Sequence, residues 1–87
     1  MEKSELRTKA KRLEPILAIG KNGLAEGTIA LIDRELSQKH LIKIKFLHAA
    51  LPENAAKSDR RALAITLAEA TKSQVVEQVG NVVVLYR

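Results

Sequence analysis

Residues 41–47, Leu-Ile-Lys-Ile-Lys-Phe-Leu, alternate apolar and basic side chains with a period of two. Ile42, Ile44 and Phe46 must share one side of an extended strand, and Lys43 and Lys45 the other. This predicts a half-buried strand with helices on its apolar side only, leaving the lysine side open and positively charged. A second apolar run, Ile16-Leu17-Ala18-Ile19, is continuous, as expected of a strand buried by a crossover helix. Two further β-rich runs, Val75–Val79 and Val82–Tyr86, are separated by Gly80-Asn81. A two-residue Gly-Asn link predicts a hairpin with glycine first, of type II′.

Helical periodicity fills the intervals. Leu6, Ala10 and Leu13 lie at i, i+4 and i+7 within a predicted helix over about 4–14, with Ser4 as N-cap and Pro15 as terminator. Ile29, Ile32 and Leu36 define a second helix from about 24 to 38. Gly27 weakens its first turn and suggests close backbone packing there. Leu63, Thr66, Leu67 and Ala70 form the expected inner face of a third helix, roughly 58–72, capped by Ser58. Residues 48–57, with Pro52, read as a loop.

The order is therefore α-β-α-β-α-β-β. Two strand–helix–strand units imply parallel pairs with right-handed crossovers, and the hairpin adds one antiparallel strand. The expected fold class is α/β: a two-layer sandwich in which a four-stranded mixed sheet carries its helices on one face. Eighty-seven residues suffice for one domain, 1–87.

Charge adds a functional dimension. The net charge is +5, unevenly distributed. Residues 1–23 hold six Lys/Arg against three acids, and residues 39–61 hold six against two, whereas 24–38 are net acidic. Blocked positive charge is the footprint of a polyanion partner. The chain has no cysteine, which removes disulfides, thiolate metal sites and thiol nucleophiles and suits the cytoplasm. No apolar run reaches membrane-spanning length, and residues 1–5 carry no apolar signal core.

Catalysis finds little support. His40 and His48 flank the strand at 41–47 and should sit at its opposite ends. No Ser-His-acid set, metal-ligand spacing or nucleotide-binding glycine motif is present. The expectation is a protein that is not an enzyme, with no metal, cofactor or small-molecule substrate.

The informative stretch is Gly20-Lys21-Asn22-Gly23, between the apolar run at 16–19 and the second helix. Two glycines let the backbone turn sharply and approach a ligand, and a following helix N-terminus favours anions. A tight βα turn would use the same glycines. Lys21 and Asn22 add a cation and an amide donor, and ligands of open α/β sheets bind at the carboxyl ends of strands. A GxxG loop clamps nucleic-acid backbone in KH domains. Phe46 and Tyr86 are the only aromatics, too few for base stacking on the sheet. Backbone and phosphate contact is what remains.

Leu13-Glu14-Pro15-Ile16, Ile19 to Leu24, Leu41 to Lys45 and Gly80 to Arg87 together resemble the CRM domain, particularly its stand-alone prokaryotic, YhbY-like form. The resemblance covers nearly the whole chain. It implies an RNA-binding protein whose fold is similar to the C-terminal domain of translation initiation factor three. Plant organellar CRM domains serve intron splicing, whereas the bacterial stand-alone members associate with precursors of the large ribosomal subunit. The family's GxxG loop, implicated in RNA contact, falls on Gly20, Lys21, Asn22 and Gly23. Lys39-His40 stands where the family often has His-Glu, making this rim more basic.

The expected site thus comprises the loop, the cations Arg7, Lys9, Lys11 and Arg12 of the first helix, and Lys43 and Lys45 of the open sheet face. Arg60, Arg61 and Arg87 are secondary candidates. The expected partner is RNA, ribosomal RNA or a large-subunit precursor. A module docking an acidic protein is the alternative. DNA binding ranks lower, since no element reads as a recognition helix.

Overall fold

The computed structural model describes residues 2–21, 23–51 and 56–87. Its elements are α1 (Lys3–Ala10), β1 (Leu17–Ile19), α2 (Glu26–Lys39), β2 (Leu41–Phe46), a short 3-10 turn (His48–Ala50), α3 (Lys57–Ala70), β3 (Gln74–Val79) and β4 (Val82–Tyr86). The predicted element order and four-stranded mixed sheet are present. The strand order is β1-β2-β4-β3. β1 runs parallel to β2, with Ala18 opposite Lys45, and β4 is antiparallel to both β2 and β3.

Two arrangements differ from the sequence expectation. First, β2 and β3 are not neighbours, because β4 lies between them. The reason is burial. Val83, Val84 and Leu85 are all buried, so β4 is apolar on both sides and gains most at the centre of the sheet. β3 carries Gln74, Glu77 and Gln78, and an edge tolerates such residues.

Second, the helices do not share one face. Ile32 and Leu36 of α2 and Ala64, Leu67 and Ala68 of α3 pack with Ile42, Ile44, Phe46, Val83 and Leu85. Leu6 and Ala10 of α1 pack instead on Val76 and Val84 from the opposite side, beside Leu41 and Tyr86. The lysines of β2 describe only one strand of that face. β3 and β4 present valines there, and these require cover. The fold is a sheet with two helices on one face and one on the other.

Local details follow from packing. α1 ends at Ala10, and turn bonds continue from Arg12 N–H to Lys9 O (3.2 Å) and Leu13 N–H to Ala10 O (3.0 Å). Leu13 is left exposed. Ser4 lies inside the helix, its carbonyl accepting the Thr8 hydroxyl at 3.0 Å, and Glu2 is the N-cap residue. On α3 the buried face is Ala64, Leu67, Ala68 and Thr71, while Thr66 and Ala70 are exposed and Leu63 is half-buried. Ala64 and Ala68, in place of the expected Thr66 and Ala70, let this helix lie close to the sheet. Ser58 does not cap it; the Asp59 carboxylate accepts the Ala56 N–H at 2.8 Å. A Cβ on Gly27 would meet nothing within 4 Å, so no close packing explains that glycine. Pro52, placed in the predicted loop, lies outside the described residues.

The hairpin has the predicted signature, with φ +57° at Gly80 and no positive φ at Asn81. The β3–β4 register shifts between Val75 and Glu77. This bulge puts Val76 and Glu77 together opposite Val84.

Candidate nucleic-acid interface

The Gly20–Gly23 stretch leaves the carboxyl end of β1, where one bond ties its base to the end of β2 and a second ties β2 to the hairpin. Leu47 N–H donates to Ile19 O (2.8 Å), and Phe46 N–H donates to Asn81 O (2.7 Å). The loop, the end of β2 and the β3–β4 hairpin are thereby gathered at one end of the sheet. Gly23 N–H donates to Gly20 O at 2.9 Å, closing a turn. The two glycines have different reasons. Gly23 sits at φ +59°, where an L side chain is strained. Gly20 has no such φ, and a Cβ there would lie at an ordinary 3.5 Å from Leu47 Cδ1. Lys21 is exposed at the tip; Asn22 lies outside the described residues. α2 begins only at Glu26, so Leu24 and Ala25 separate its N-terminus from the loop, and Glu26 places an acid in its first turn. The helix therefore contributes less to an anion site than immediate adjacency would.

The candidate cations fall into three groups. Register puts Lys45 between Ala18 and Val82, on the side of the sheet that carries α1. Lys43 lies two residues back on the same side and, with Lys11 and the acid Glu77, borders a hollow of about 470 Å³ floored by Val79, Val82 and Val84. α1 leaves this corner of the face uncovered, and Val79 is 66% exposed there. The expected open lysine face is reduced to this corner. Arg7 points elsewhere. It lines a second groove at the β3 edge together with Lys3, Lys57, Arg60 and Arg61. Lys9 and Arg12 are exposed and line neither hollow.

Lys3 and Lys57 were missed by the sequence reading. A signal existed: Lys3 and Arg7 are spaced i, i+4, and Lys57, Arg60 and Arg61 are spaced i, i+3, i+4, so each set shares one helix face. Arg87 is a correction in the other direction. Its guanidinium is engaged by the Asp33 carboxylate, Asp33 O (2.9 Å), Thr71 O (2.9 Å) and Ser37 Oγ (2.6 Å). It ties β4 to α2 and the end of α3 and is not free for a ligand.

Among the described residues, the ion pairs are Lys39–Glu35 and Arg87–Asp33. Among these residues, none of the other candidate cations is neutralised by a carboxylate. Phe46 is fully buried and Tyr86 packs beside α1, so neither ring offers a stacking platform. His40 and His48 stand at opposite ends of β2. No helix among the described residues is long and apolar enough to cross a membrane. No group of three or more His, Asp or Glu with metal-binding placement occurs among them.

Comparison with known proteins agrees in sequence and in shape. The sequence profile of the CRS1/YhbY (CRM) domain matches residues 1–87. The chain is 35% identical over 86 residues to the probable RNA-binding protein PA4753 of Pseudomonas aeruginosa, covering 99% of this chain and 77% of that one. It is 41% identical over 85 residues to the probable RNA-binding protein MJ0652 of Methanocaldococcus jannaschii, covering 98% of this chain and 60% of that one. The solution structure of SAV1595 from Staphylococcus aureus, described as a candidate RNA-binding protein, superposes with a TM-score of 0.78 at 40% identity, covering 98% of this chain and 82% of that one.

Proposed function

Because the chain belongs to the CRS1/YhbY (CRM) domain family, we propose that it is a non-catalytic RNA-binding module that grips the RNA backbone. One observation carries the reading. Lys43 and Lys11 border one open corner of the sheet, Lys45 follows Lys43 on the same side of β2, and the Gly20–Gly23 loop leaves the adjoining strand β1; among the described residues none of these lysines is paired with a carboxylate. Gly23 sets the turn, Lys21 supplies the cation at its tip, and Asn22 supplies an amide donor. Without aromatic platforms, such a surface holds phosphates and sugars rather than reading stacked bases. Lys9 and Arg12 add long-range attraction from the exposed side of α1.

Kinship to probable RNA-binding proteins supports RNA as the partner. The resemblance to stand-alone bacterial members adds large-subunit assembly, with ribosomal RNA or its precursor as ligand, in the cytoplasm.

The test is binding to structured RNA across a salt series. Affinity is expected to fall linearly in log–log form as salt rises, because bound phosphates release counterions. A Lys21→Asp, Asn22→Asp double variant should lose most binding while melting as the parent does. Unchanged affinity in that variant would refute the loop as the contact. For the ribosomal reading, the protein should co-sediment with large-subunit precursors in cell extract, and crosslinked RNA should map to ribosomal sequence; random RNA among the crosslinks would count against it.

A further inference from the structure

The second groove, at the far edge of the sheet from the Gly20–Gly23 loop, has no role in the reading above. It encloses about 740 Å³ along β3. Lys3 and Arg7 of α1 stand on one wall, and Lys57, Arg60 and Arg61 of α3 on the other. Five cations face a single acid, Glu77. None of the five is held by a carboxylate among the described residues. The walls come from segments distant in the chain, brought together only because α1 and α3 lie on opposite faces and both reach the β3 edge. Like charges on two converging walls repel one another, so this arrangement lacks a purely internal rationale.

We propose that this groove is a second RNA-backbone site, so that one molecule holds RNA at both edges of its sheet. The inference rests on the RNA-binding reading and adds a contact surface to it. Three features specify the ligand. Arginine makes up three of the five cations, and its planar fork matches phosphate oxygens two at a time. Gln78, on the floor, has an amide nitrogen without a hydrogen-bond partner, a donor suited to a phosphate or ribose oxygen. The bulge at Val75/Glu77 breaks the edge ladder, and Glu77 lies on it, so an acidic peptide adding as a further strand would meet irregular register and a like charge. The sheet is four strands wide, and its edges are therefore about 14 Å apart. A single folded RNA can reach both edges across α1.

The experiment uses the full chain, structured RNA and an oligoglutamate peptide as rival ligand. Two variants address the two walls, Arg60→Gln with Arg61→Gln, and Lys3→Gln with Arg7→Gln. Each should weaken RNA binding about tenfold and lower the salt slope by about 1 to 1.5, the loss expected for two single-strand phosphate contacts. Thermal melts should be unchanged, and crosslinks in the parent should map to 57–61 and 74–80. If both wall variants bind RNA as the parent does, with the parent slope, while the loop double variant does not, the groove is refuted and the RNA reading stands. If the parent binds no RNA, both fall together. If the wall variants lose only oligoglutamate, the groove serves an acidic protein and the proposal is overturned.

Discussion

Arg87 and Asp33, 54 residues apart in the chain, are joined twice: the guanidinium bonds to the Asp33 carboxylate through Nη1 and to its backbone carbonyl through Nη2 at 2.9 Å. The same group reaches Thr71 O, so β4, α2 and the end of α3 converge on it. An exposed ion pair alone adds little to stability, and the Asp33 side chain is 55% exposed. The added bonds to backbone carbonyls and Ser37 Oγ make this clip worth more than the pair. Arg87→Ala should therefore cost about 1–2 kcal/mol, and Arg87→Lys should recover only part, because an ammonium cannot span these acceptors in one plane. Chemical denaturation checks the stability. RNA affinity should be unaffected, and an affinity loss without destabilisation would return Arg87 to the interface.

The loop glycines should separate by substitution. Gly23→Ala forces an L side chain into φ +59° and should cost about 1–2 kcal/mol, together with most loop-dependent RNA binding. Gly20→Ala adds a methyl at ordinary contact distance from Leu47 and should be near neutral in both respects. Paired melts and binding curves decide it. Equal damage from both would mean that the turn depends on Gly20 for something other than φ.

The buried face of α3 predicts an asymmetry along one helix. Ala64→Leu or Ala68→Leu overfills the contact with the sheet and should destabilise by about 1–3 kcal/mol. Thr66→Leu and Ala70→Leu, on the exposed side, should change stability by less than about 0.5 kcal/mol. Urea midpoints for the four variants give a direct comparison.

α1 links the two cationic edges, and Leu6 is its anchor at 1% exposure. Leu6→Ala should cost about 2–4 kcal/mol. Below its melting transition, RNA affinity should also fall, since Arg7 and Lys11 lose their placement when α1 loosens. Amide exchange localised to α1, Val76 and Val84 would identify the loosened part. Protection lost evenly over the whole chain would instead show that α1 is integral to a single cooperative core.

Much of this was readable in the residues because it is local. A period of two placed Ile42, Ile44 and Phe46 on one side of β2, and a period of 3.6 placed Ile32 and Leu36 inside α2. Gly80-Asn81 set its own turn, and Gly23 took up the positive φ that the turn after β1 needs. Each signal depends on neighbours a few residues away, so the sequence carries it outright. Tertiary structure decided what depends on distant partners. Which strand sits at the centre follows from comparing β3 with β4, and the twice-buried Val83–Leu85 run won. The side taken by α1 follows from Val76 and Val84, at the other end of the chain. The fate of an arginine is likewise non-local. Identical guanidinium groups end in a structural clip at Arg87 and on a groove wall at Arg60, because packing sets which carbonyls and carboxylates lie within their reach.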